Sequence, residues 1–129
     1  MEDNIKWISV FNEKFLEFIK DLIETFPEDK DFKLCKQSFN LLLMVDAKKP
    51  IEMFNLYAMK YKEKILKQDE MFFLDHDFKE EIDNDIDANF SMELLIKLKK
   101  SWKGLTFKNK EVIWSYLQLL YKVNEKVKL

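Results

Sequence analysis

The stretch Ile8-Ser9-Val10-Phe11-Asn12-Glu13-Lys14-Phe15-Leu16-Glu17-Phe18-Ile19-Lys20-Asp21-Leu22 decides the fold. Ile8, Phe11, Phe15, Phe18 and Leu22 recur at alternating intervals of three and four, the spacing of one face of an α-helix. Ile19, Ile23 and Phe26 widen that stripe, while Glu13, Glu17, Lys14, Lys20, Asp21 and Glu24 line the opposite face. Asp3 or Asn4 supplies a side-chain cap for the first turn, and Pro27 stops the helix, which is expected over 4–26. A stripe this wide is stable only when other helices cover it, so the remaining sequence must supply them.

Working outward, Pro27-Glu28-Asp29-Lys30-Asp31 reads as a turn leading into a new N-cap. A second helix is expected over 31–46, with Phe32, Cys35, Phe39, Leu42 and Leu43 on one side. Leu34, Leu41 and Val45 leave little of it polar, so it is expected to be central and covered on several sides. Pro50 opens a third helix, where its missing N–H costs nothing, with Phe54, Tyr57, Tyr61 and Ile65 as the inner stripe. The short connection makes the second and third helices antiparallel neighbours. Residues 69–74 read as a helical turn, and an acidic loop containing Glu80, Glu81, Asp83, Asp85 and Asp87 follows. A fourth helix runs over 91–103 with Ser91 as its cap and Gly104 as its stop. The fifth runs from Thr106 to about residue 125 and buries Val112, Ile113, Tyr116, Leu117, Leu120 and Val123. The expected architecture is all-α: one domain over 1–129, a bundle of about five helices with an acidic loop after the third.

Composition narrows the chemistry. One Gly and two Pro in 129 residues argue against a turn-rich β-fold. With Gly104 as the single glycine, a phosphate-cradling glycine loop, a dinucleotide fingerprint and a strained nucleophile elbow are all excluded. All 22 basic residues are Lys, so no planar guanidinium fork exists for reading bases or clamping phosphates. The absence of Arg and the scarcity of Ala fit an AT-rich coding sequence. A net charge of −2 gives no global footprint for nucleic acid. Cys35 is alone and sits in an apolar stretch, which reads as a small core residue in a reducing compartment. No apolar run reaches the roughly 20 residues of a membrane span, and the acidic start Met1-Glu2-Asp3-Asn4 lacks the pattern of a secretion signal.

Four local features carry chemistry, each with a plainer reading beside it. Asp83-Asn84-Asp85-Ile86-Asp87 resembles the opening of a calcium loop, but Ala88 and Leu94 stand where Gly and Glu belong, which favours a solvated acidic loop. His76, the only histidine, lies between Asp75 and Asp77; without a nucleophile or second metal ligand it reads as an exposed loop residue. Lys97, Lys99, Lys100, Lys103, Lys108 and Lys110 gather around the last inter-helix joint. With Trp102 and Phe107 they offer phosphate contacts and a stacking ring, or simply a solvated face. Phe72-Phe73-Leu74, fenced by acids, is either a docking motif or a plug for the end of its own bundle; the plug is favoured. Trp7 and Trp114 are further candidates for anchoring a partner.

The order of Phe11-Asn12, Phe15, Phe18-Ile19 and Asp21-Leu22, then Phe26-Pro27-Glu28-Asp29-Lys30-Asp31-Phe32, Ile65-Leu66, Asp69-Glu70, Phe72-Phe73-Leu74 and Lys110-Glu111-Val112-Ile113-Trp114-x-Tyr116-Leu117 resembles uncharacterised small helical proteins of nucleocytoplasmic large DNA viruses of algae and protists. The resemblance implies a viral origin and a location in the host cytoplasm, the viral factory or the virion. It carries over no activity and no site residue.

The sequence is therefore read as non-enzymatic, with no catalytic residue, cofactor or metal. The expected role is a protein–protein interaction module, a minor structural or assembly component of such a virus, with another protein or a second copy as partner and no membrane. Self-association is expected through the apolar surplus of the first or fifth helix. The alternative is a nucleic-acid-associated accessory factor using the Lys-rich patch. Candidate contact residues are Lys97, Lys99, Lys100, Lys103, Trp102, Phe72 and Phe73.

Overall fold

The computed structural model describes residues 2–76 and 90–127. Among them the chain is all-helical, with seven α-helices: α1 (Glu2–Thr25), α2 (Lys30–Val45), α3 (Lys49–Met53), α4 (Lys62–Leu66), α5 (Glu70–Asp75), α6 (Phe90–Ser101) and α7 (Phe107–Lys126). The acidic loop and the calcium-like Asp83-Asn84-Asp85 lie outside the described residues. So do the side chains of Tyr57 and Ser91, and with them the expected roles of these two residues.

The first helix forms as its spacing demands. Ile8, Phe11, Phe15, Phe18, Ile19 and Leu22 are all buried. Its principal neighbour is the last helix, α7, which runs along it and buries Ile113, Trp114, Leu117, Leu120 and Tyr121. Tyr116 of α7 stacks on Phe18, ring centroids 5.1 Å apart, and donates its hydroxyl to Asp21 Oδ2 at 2.6 Å. Burial, that hydrogen bond and the charges of Asp21, Glu17 and Glu24 raise the Tyr116 hydroxyl to about 12. The α1–α2 turn is the one expected: the Asp29 carboxylate accepts the Asp31 N–H at 2.9 Å and caps α2. Thr106 and Asp69 cap α7 and α5 in the same way.

The expected third helix is broken into pieces. After α3, residues Phe54–Ala58 form a π turn and Met59–Tyr61 a 3₁₀ turn before α4 resumes. The Lys62 N–H bonds to the Met59 carbonyl, which deprives the Ala58 carbonyl of the regular helical donor. The Tyr121 hydroxyl takes that place at 2.6 Å, inside the core. Phe54 packs against Tyr121 and Phe11, at 4.9 and 5.2 Å between centroids. Asn124, also buried, reaches Asn55 Oδ1 from α7. The irregular stretch is thus held by a polar seam from the last helix.

Two helix ends depart from expectation. Gly104 does not serve as a left-handed stop, for no glycine here has positive φ. The left-handed residue is Gln68, at φ 54°, closing α4. Its N–H bonds to the Ile65 carbonyl and the Asp69 N–H to the Lys64 carbonyl, the two bonds of a Schellman cap. The core itself is filled: the central cavity among Phe15, Phe54, Ala58, Ile65, Leu94 and Tyr121 measures about 10 Å³, room for no more than one water.

Candidate interaction surface

Helix α2 buries only Phe32 and Phe39 outright. Its expected coverage on several sides is not met. Leu34 is 56% exposed, Leu41 64%, Met44 83% and Val45 82%. Leu34, Ser38, Leu41 and Val45 follow one another at intervals of four, three and four, which places them along one line of the helix surface. The reason is a shortage of neighbours. The core needs one side of α2, where Phe39 stacks on Phe15 at 5.1 Å and Phe32 on Phe26 at 5.5 Å. The apolar residues beyond that side have nothing among the described residues to cover them.

Beside this line, α2 and α6 enclose an open groove of about 260 Å³ lined by Asp31, Leu34, Cys35, Ser38, Ile96, Lys97 and Lys100. Cys35 is therefore a half-buried groove residue rather than a core one. The groove is anchored at one end by Lys97, whose ammonium lies 2.7 Å from Asp29 Oδ2 and 3.0 Å from Asp31 Oδ2 and sits over the Phe32 ring. Burial works against ionisation of Asp29. The hydrogen bonds from Lys97 and the Asp31 N–H, with the Lys97 charge, outweigh it and hold the carboxyl below its usual value. The hydrogen bond to Asp29, opposed by burial and reinforced by Asp31, raises Lys97.

The expected lysine patch divides. Lys97 is committed to the α1–α2 turn, Lys99 donates to the His76 carbonyl, and Lys110 reaches Glu70 Oε1 at 3.3 Å while lying over the Trp102 ring. Lys100, Lys103 and Lys108 are exposed, as is Phe107 at 76%. Trp102, the expected stacking ring, is 1% exposed and packs on Phe73 and Trp114 at 5.1 and 5.2 Å. A ring enclosed this way has no free face for a base. Phe73 is buried in the same aromatic trio and Phe72 is half-buried. Trp114 is also interior and Trp7 half-buried.

His76 is not the exposed loop residue expected. Its ring stacks on Phe72 at 5.1 Å, and its Nε2 lies 3.1 Å from the Tyr61 hydroxyl. The aromatic clamp arises because α5 turns Phe72 and His76 back toward Tyr61, and the Tyr61–His76 juxtaposition, 15 residues apart, is one that periodicity does not report. Among the described residues, no group of three His, Cys, Asp or Glu side chains is placed to hold a metal, and no helix is long and apolar enough to cross a membrane. The surface that sequence reasoning missed is α2, and its signal was present: nine apolar residues on a 16-residue helix exceed what one buried side can accept.

No protein-family model, no curated protein and no solved structure matches this chain.

Proposed function

We propose that this chain is a non-enzymatic protein–protein interaction module that presents the outer face of α2 to a helical segment of another polypeptide. In the setting that the sequence resemblance implies, it is a structural or assembly component of a large DNA virus. The observation that carries the reading is the line of Leu34, Leu41 and Val45, with Met44 beside it, left in water on a helix whose other side is fixed in the core. Fully burying one such side chain is worth about 1.5–3 kcal/mol, so covering the exposed fractions of all four offers roughly 6 kcal/mol from this face. That is enough for a specific contact once a partner doubles it, and not enough for an obligate one. The nucleic-acid reading has weaker support, because Trp102 is enclosed and half of the clustered lysines already hold carboxylates or a carbonyl.

The test uses the double variant Leu34→Lys/Leu41→Lys. Both positions are exposed, so helix content and melting temperature are expected to stay close to those of the wild type. Proteins recovered from native extract with tagged wild type are purified and mixed with each form. The expected result is binding by the wild type and its loss in the double variant. Equal binding by both forms overturns the reading.

A further inference from the structure

The geometry of α2 points to one occupant for its outer face: a second copy of the same helix, packed antiparallel. This inference rests on the reading of α2 as the contact surface and names what covers it. The intervals of four, three and four along Leu34, Ser38, Leu41 and Val45 are those of a coiled-coil seam. Reversing the helix about the point between Phe39 and Asn40 maps the seam onto itself. Leu34 then lies opposite Val45 of the copy, and Ser38 opposite Leu41. Each layer sets a smaller side chain against a leucine, which lets the two helices approach without a gap or a clash.

Charge selects the direction. Lys30, Asp31 and Lys33 stand at the N-terminal end of α2, and Asp46, Lys48 and Lys49 just past its C-terminal end, all exposed. A parallel pair would set Lys30 on Lys30, Asp31 on Asp31 and Asp46 on Asp46. The antiparallel pair brings Asp31 to Lys48 of the copy. It also brings Lys33 to Asp46 and the last carbonyls of α2, so the opposite-charge pairs outnumber the one like pair, Lys30 with Lys49. The two helix dipoles oppose one another in the same arrangement. Such an interface is isologous and closes at two copies. Ile96 of α6 borders the seam on one side and extends the apolar floor.

Sedimentation equilibrium over about 10 µM to 1 mM reads the association, and disulfide trapping reads the register. The expected result is a monomer–dimer equilibrium whose dissociation constant rises at least tenfold in Leu41→Lys and in Leu34→Lys, with unchanged helix content. In a Cys35→Ser background, an equal mixture of Ser38→Cys and Leu41→Cys is expected to form the mixed disulfide in preference to either homodimer. A wild type that stays monomeric at about 1 mM overturns the inference, as does trapping of the Ser38→Cys and Leu41→Cys homodimers without the mixed disulfide, which marks a parallel pair. If self-association is absent but a purified partner binds the wild type and not Leu34→Lys/Leu41→Lys, self-pairing falls while the interaction module stands. If neither forms, both fall.

Discussion

Replacing Tyr121 by Phe removes one oxygen from the centre of the fold and nothing else. The ring stays, so the packing on Phe54 persists and no cavity forms. What goes is the donor to the Ala58 carbonyl, a 2.6 Å bond between groups 63 positions apart. The Ala58 carbonyl also opens the 3₁₀ turn over Met59–Tyr61 and keeps its backbone bond there, so the variant loses one hydrogen bond rather than orphaning the acceptor, at a cost of about 0.5–1.5 kcal/mol. For 129 residues the entropy of unfolding near the midpoint is about 0.27 kcal/mol/K, so the melting temperature should fall by about 2–6 °C. Thermal unfolding followed by circular dichroism at neutral pH measures it. The same bond has an alkaline signature. Burial pushes the Tyr121 hydroxyl above its ordinary value, so its contribution is complete below pH 10 and declines as the pH rises beyond it. Tyr116, at about 12, adds to the same decline, and Tyr121→Phe should flatten but not abolish it. A variant that melts within about 1 °C of the wild type refutes the reasoning, since the hydroxyl then adds nothing net to the fold.

Three further outcomes are expected. Gln68→Gly should raise the melting temperature by a few degrees, because a left-handed side chain costs about 1–2 kcal/mol that glycine avoids, offset in part by its greater freedom when unfolded. Gly104→Ala should stabilise by about 0.4–1 kcal/mol in denaturant titration, since an added Cβ meets nothing within 4 Å and the backbone there is not left-handed. Lys97→Met should destabilise by about 0.5–1 kcal/mol at neutral pH and show a shallower acid limb in pH-dependent unfolding. The lowered Asp29 carboxyl stabilises above its unfolded value of 3.8 and loses that contribution as the pH falls through its folded one.

Much of the fold was legible because it depends on spacing. Ile8, Phe11, Phe15, Phe18 and Leu22 announce a buried face wherever the helix sits, and Pro27 followed by Asp29 announces where it ends and the next begins. Whether a face finds a neighbour is a different matter. Leu34, Leu41 and Val45 look like core in the sequence, yet whether they are covered depends on how many helices the rest of the chain can bring alongside. The break at Phe54–Ala58 was hidden for a similar reason, since it is stabilised by Tyr121, a residue whose local pattern says only that it lies on a helix. Composition misled at the turns: the single glycine drew the eye as a stop, while Gln68 took the strained position. The lysines around Trp102 are close in sequence, but their partners at the start of α2 and at the two ends of α5 divide them.

The pairing of α1 with α7 orders events during synthesis. Helix α1 leaves the ribosome with its aromatic stripe unsheltered, and the segment that shields it comes much later, Tyr116 following Asp21 by 95 positions. Until α7 emerges, α1 lacks its principal counterpart, so its native closure waits for that segment, and α1 is the helix most in need of shelter in the interval.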